Sequence, residues 1–164
     1  MKSGKKWGGG MKRAMIALGL AGLLAGCSTG SSGVENAALL NQPLKGNTAR
    51  VKIVRAETFA AALRGARLKL DGKQIADIGD GAATVLDIPA GAHEFTVDVW
   101  DHPNVYKINV NAKPGMLYEM EVQPRSDAIV AGMFGVVGMA AEASANPNGG
   151  VFEIRVARES RVAS

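Results

Sequence analysis

From Arg50 onward the chain alternates polar and apolar residues. Arg50-Val51-Lys52-Ile53 opens the series. Phe95, Val97 and Val99 then share one face, with Glu94, Thr96 and Asp98 on the other. Tyr106, Ile108 and Val110 alternate with Lys107, Asn109 and Asn111, and Tyr118, Met120 and Val122 with Glu119 and Glu121. Phe152, Ile154 and Val156 alternate with Glu153 and Arg155. Successive side chains of a strand point to opposite faces, so each segment has one face to bury and one to wet. Antiparallel sheets are built from such strands. No helical pattern of comparable length interrupts them before Pro124.

Turn chemistry divides the series. Asp71-Gly72 lies between Ala66–Leu70 and Lys73–Ile78, the composition of a two-residue hairpin loop. Gly79-Asp80-Gly81 precedes a strand at Ala83–Ile88, Pro89-Ala90-Gly91 leads into His93, and Pro114-Gly115 leads into Leu117. A further short strand is predicted at Thr58–Leu63. Strands spaced at roughly 8–12 residues point to a sandwich or barrel. The expected fold is mainly β: a small antiparallel β-sandwich of about seven to eight strands. One short apolar helix or loop is inserted before the last strand.

That insert spans residues 128–143. Its Ala128–Ala141 portion carries no charge and is bounded by Asp127 and Glu142. As a helix it covers ~21 Å, less than the ~30 Å of a bilayer core. Ser126 or Asp127 can cap its start, and Asn146-Pro147-Asn148-Gly149-Gly150 ends it. Gly132, Gly135 and Gly138 allow close approach but weaken helicity. Two readings stand. The segment covers an open face of the sheet, or it is a patch that touches lipid or a protein partner through Ile129, Met133, Phe134, Val136, Val137 and Met139.

Charge changes the picture at the other end. The formal net charge is +4, but Lys2, Lys5, Lys6, Lys12 and Arg13 all precede position 27, where no acidic residue occurs. From Cys27 onward 14 basic residues face 15 acidic ones. The basic excess therefore belongs to a leader and implies no nucleic-acid surface. Behind it runs Ala14–Leu24, an apolar stretch of 11 residues. That fits the ~7–15 of a signal peptide and is too short to span a membrane. Met11 offers a second start, since Met11-Lys12-Arg13 alone suffices as a basic segment.

Leu24-Ala25-Gly26-Cys27 follows at once. This resembles the lipobox of bacterial lipoproteins, with Leu24, Ala25 and Gly26 recognised by the peptidase. The resemblance implies that Cys27, the chain's only cysteine, receives a diacylglyceryl group and becomes the new N-terminus, often acylated again. Two or more acyl chains anchor stably where one does not. Ser28 follows the cysteine. In Gram-negative lipoproteins Asp there commonly signals inner-membrane retention, so Ser28 implies the outer membrane, facing the periplasm. The expected organisation is a leader over 1–26, a lipidated flexible tether over 27–48 in which Ala37–Leu40 forms a helical turn or packs on the domain, a sandwich over 49–159 and a tail over 160–164.

A second resemblance covers about Ala49 to Ala157. Leu68-Lys69-Leu70-Asp71-Gly72-Lys73, followed by Ile88-Pro89-Ala90-Gly91-Ala92-His93, resembles the PEGA-type surface module. Gly115–Val122 resembles a later strand in an uncharacterised family of bacterial lipoproteins with the same core. These resemblances imply a β-sandwich without established catalytic residues. The stretch from Ile129 to Ala143 departs from that pattern, being longer and more apolar.

Chemistry is thinly represented. There is no Gly-x-Ser-x-Gly, no Walker loop and no dinucleotide fingerprint. His93 and His102, with Asp98 and Asp101 between them, fall short of the three or four converging ligands of a zinc site. Asp77-Ile78-Gly79-Asp80-Gly81 lacks the spacing and terminal Glu of a calcium loop. Glu119 and Glu121 share one strand face and read as solvated, while Trp100 and Tyr106 read as hairpin or core packing. The expectation is a non-enzymatic binding or structural module without cofactor or metal. It is held to the envelope membrane by lipid and contacts an envelope protein or cell-wall polymer. The alternatives are an accessory subunit docking through 128–141 and an enzyme whose residues the sequence does not nominate.

Overall fold

Alternation and turn chemistry translate directly into strands. The computed structural model describes residues 33–145 and 148–162. Among them are β1 (Val34–Glu35), β2 (Thr48–Arg55), β3 (Ala66–Leu70), β4 (Lys73–Ile78), β5 (Ala83–Pro89), β6 (Gly91–Asp98), β7 (Tyr106–Ala112), β8 (Met116–Pro124) and β9 (Phe152–Arg161). Helices α1 (Ser126–Met133) and α2 (Gly135–Ala145) lie between β8 and β9. The strands form two sheets, ordered β1-β5-β2-β8-β9 and β4-β3-β6-β7. The expected sandwich is present.

Its inner faces are the apolar halves of the alternating segments. Val51, Ile53, Tyr118, Met120, Val122 and Ile154 from the larger sheet meet Leu68, Ile78, Phe95 and Val97 from the smaller, all nearly fully buried. Tyr118 brings a fully buried phenol into this layer. Its hydroxyl accepts from the Lys113 amide at 2.9 Å, which offsets the cost of burying it. The Asp71-Gly72 hairpin is observed with both residues at positive φ, 50° and 79°. Those angles define the turn whose twist matches paired strands.

Four features differ from the sequence expectation. First, the larger sheet is mixed: β2 runs parallel to β8, and β1 parallel to β5. Alternation reports which face a strand buries, not the direction of its neighbour. Second, the stretch expected as tether is structured from Gly33 on: the helical turn or packing open for Ala37–Leu40 is observed, while the pairing of β1 was not expected. β1 pairs with β5, and Ala37–Asn41 forms a 3-10 turn against the outer face of that strand. There Arg50, 1% exposed, donates to both Asp87 carboxylate oxygens at 2.7 and 2.9 Å and to the Gln42 carbonyl at 2.7 Å. Third, the strand expected at Thr58–Leu63 is a 3-10 turn over Phe59–Ala61. Fourth, β9 continues to Arg161, into the expected tail.

The two poles of the sandwich differ. The end of β2, the start of β5, the end of β8 and the start of β9 coincide, through the pairs Val54–Ala83, Arg55–Val122 and Pro124–Phe152. Arg55 ties the smaller sheet to this pole by donating to the Ile78 carbonyl at 3.0 Å. Gly33, the first described residue, is also here, its carbonyl accepting from the Ala83 amide at 2.9 Å. We call this the proximal pole. The distal pole carries the Asp71-Gly72, Pro89-Ala90 and Pro114-Gly115 turns.

Candidate contact surface

The proximal pole is where the apolar insert emerges. It is not one helix over the sheet. Gly135, at φ +65°, breaks it into the α1–α2 hairpin, since that backbone is easy for glycine and strained for other residues. At Gly138 a Cβ would stand 2.2 Å from the Ala131 carbonyl oxygen, so the two helices close on a residue without a side chain.

The hairpin leaves its apolar side chains outside. Met133, Phe134, Val136 and Val137 are 74–81% exposed. Ile129 and Met139 are half-buried, and Ala128 is buried at the hairpin's base. The reading in which this segment covers an open sheet face is thereby overturned. Such a cover would bury these side chains, as burial of apolar area is its only driving force.

Polar contacts hold the hairpin instead. Arg125, at the start of α1, donates from Nη1 to the Glu142 carboxylate of α2 at 2.9 Å and to the Gly150 carbonyl at 3.2 Å. Its Nη2 also pairs with Asp127. His102 Nε2 lies 3.8 Å from the other Glu142 oxygen, linking α2 to the turn after β6. The Arg125 guanidinium stands 6.0 Å from the Tyr106 ring centre. Arg125, His102 and Glu142 are all nearly buried. This collar marks where the apolar hairpin joins the sandwich.

Further apolar groups flank it. Phe59 and Leu63 are fully exposed, and Trp100 is 77% exposed, so Trp100 packs in neither core nor hairpin. A groove of about 390 Å³ separates Phe59–Arg64 from Ile129, Gly132 and Met133 of α1. The Phe59 loop is held from below by Arg55, whose side chain is fully buried. Arg55 donates to the carbonyls of Arg64 and, at 2.5 Å, Ala61, and lies over the Phe152 ring at 4.5 Å. Burial lowers its pKa from the usual arginine value. Sequence reasoning missed Arg55 and this loop. Arg55 falls on the inward parity of β2, after Val51 and Ile53, and a cation in a core position was the available signal.

The other candidates are dispersed. His93 pairs with Asp71 at the distal pole, whereas His102 meets Glu142 at the proximal one. Asp98 sits between Arg67 and Lys69 at 2.6 and 2.7 Å. Asp80 accepts from the Thr58 amide at 3.0 Å. Glu119 and Glu121 pair with Lys52 and Arg155 at 3.2 and 2.7 Å across the outer face of the larger sheet. Among the described residues no three His, Cys, Asp or Glu side chains converge on a metal-sized site. Among them, too, no helix is long and apolar enough to cross a membrane. Leu24, Ala25, Gly26, Cys27 and Ser28 lie outside the described residues. Compared with family models and with curated proteins, the chain matches neither.

Proposed function

We infer that the protein is a membrane-anchored envelope lipoprotein whose β-sandwich serves as a non-enzymatic binding or structural module. One observation carries this reading. A basic segment, the apolar run Ala14–Leu24 and Leu24-Ala25-Gly26-Cys27 follow one another in the order that export and lipidation require. Ser28 favours the outer membrane. The lipid confines the module to the membrane plane and raises its effective concentration toward envelope or cell-wall partners. The PEGA-type likeness of the Asp71-Gly72 and Pro89–His93 turns accords with a surface module.

Growth with radioactive palmitate tests the anchor. The wild-type chain takes up label and Cys27→Ser takes up none; equal labelling of both overturns the reading. A second reading, docking on an envelope subunit through 128–141, draws on the exposure of Met133, Phe134, Val136 and Val137.

A further inference from the structure

We propose that the proximal pole is a lipid-contact surface, with the α1–α2 tip seated in the interfacial layer of the bilayer that holds Cys27. The proposal rests on the lipoprotein reading for which membrane is meant; the contact itself rests on the pole's geometry.

Three observations support it. The first is the grouping of exposed apolar side chains. Phe59, Leu63, Trp100, Met133, Phe134 and Val137 all lie at the proximal pole, on three separate loops or helices. Isolated apolar residues are ordinary on a surface, but a contiguous group marks a contact. The distal pole instead carries the Asp71–His93 ion pair.

The second is where the chain leaves the sandwich. Gly33 is fixed beside Ala83 at this same pole, and Cys27 stands six positions earlier. Six residues reach at most about 20 Å when fully extended. Lipid on Cys27 therefore enters the bilayer within that radius of Gly33. The anchor holds this pole, rather than the distal one, close to the membrane.

The third is the chemistry of the tip, which favours lipid over a protein partner. From Ala128 to Ala141 no side chain is charged. The two helices, of 8 and 11 residues, are ~12 and ~17 Å long, and at the turn between them the Phe134 amide donates to the Ala131 and Gly132 carbonyls, while the remaining helix-end groups stay at interfacial depth. The helices are too short to span and long enough to enter the ~5–10 Å interfacial layer. Arg125, Asp127 and Glu142 ring the base, and the Arg64–Asp101 pair at 3.0 Å stands beside Trp100. An apolar tip, a charged collar and a tryptophan at the rim match the depth profile of a membrane interface.

Trp100 is itself the probe. The chain has two tryptophans, and Trp7 lies in the leader. The mature lipidated chain, extracted from membranes, is reconstituted into vesicles of phosphatidylethanolamine and phosphatidylglycerol whose acyl chains are brominated near the glycerol. Bromine quenches tryptophan only at contact range. Trp100 emission is expected to fall by roughly half relative to unbrominated vesicles, and in both vesicles to lie to the blue of a fully water-exposed tryptophan. A Phe134→Asp/Val137→Asp variant alters only exposed side chains. It is expected to keep its far-ultraviolet circular dichroism and its vesicle association, and to lose most of the quenching. A wild-type chain that is vesicle-bound yet unquenched overturns the proposal, and so does quenching that the folded variant retains. An unquenched wild type that dimerises, or that crosslinks to one stoichiometric envelope protein only with Phe134 and Val137 intact, assigns the pole to protein and likewise overturns it. The anchor is judged separately by palmitate. Label without quenching leaves the anchor and removes the contact; quenching without label does the reverse.

Discussion

His93 and Asp71 meet at 2.7 Å on the distal pole, through Nδ1 and Oδ2. The other ring nitrogen, Nε2, lies 2.9 Å from the Pro89 carbonyl oxygen. A carbonyl and a carboxylate only accept, so the protonated ring, with N–H on both nitrogens, satisfies both contacts at once, and the geometry favours the imidazolium form. Asp71 also accepts from the Glu94 amide through Oδ1 at 2.9 Å. One side chain thus joins the β3–β4 turn to β6, and His93 joins both to the β5–β6 turn. The Asp71 hydrogen bond raises the His93 pKa above its ordinary 6.5, and the His93 hydrogen bond lowers that of Asp71 below 3.8.

The sign of the pH dependence follows. The raised His93 value gives stability that is complete below the unfolded pKa near 6.5 and is lost as pH rises through the folded value. The lowered Asp71 value gives stability present above about 3.8 and lost as pH falls through its folded value. Urea midpoints measured from pH 5 to pH 9 are expected to decline for the wild type and to stay flatter for His93→Gln. Parallel curves for the two proteins contradict the pairing.

Arg55→Met is expected to destabilise the domain by about 3 kcal/mol, because it leaves several buried carbonyls without their donor. The affected acceptors are Ala61, Arg64 and Ile78. Chemical denaturation gives the magnitude. Hydrogen exchange places the largest change at the 59–64 loop; a change of under about 1 kcal/mol argues against the role.

Glu142→Ala removes the carboxylate that Arg125 and His102 share. Because polar contacts rather than buried area hold α1 and α2, the hairpin is expected to lose exchange protection before the sandwich does. Removing one member of a buried charge pair costs ~3–5 kcal/mol, and local opening limits how much of that reaches global stability. Exchange followed by mass spectrometry resolves the two regions. Equal acceleration in α2 and β2 contradicts the account.

Asp87→Ala leaves the Arg50 guanidinium buried beside Gln42 without its carboxylate. A loss of about 1.5–3 kcal/mol is expected, the range for a hydrogen bond to a charged group. Limited proteolysis is expected to cut within 33–42 first. Unchanged cleavage there separates the segment's docking from Arg50.

The strands, the Asp71-Gly72 hairpin and the division of Phe95, Val97, Tyr118 and Met120 from their polar neighbours were legible because they depend on period-two pattern and turn residues. The parallel pairing of β2 with β8 was not, since it joins Arg50–Arg55 to Leu117–Val122 across most of the domain. Thr58–Leu63 offered only Thr58 and Phe59 as strand formers beside three alanines, and carbonyls gathered on Arg55 turn it into a 3-10 loop. Apolar composition marked 128–141 as unusual, yet composition is the same for a buried helix and an exposed one. The distinction rests on the Arg125–Glu142 contact, made between residues that only the folded hairpin brings together.

Intact-mass spectrometry of protein extracted from cell membranes reads the state of Cys27. The chain is expected to begin at Cys27 and to carry a diacylglyceryl group on its sulfur. A chain retaining the leader, or one with a free Cys27 thiol, would contradict the lipid anchor.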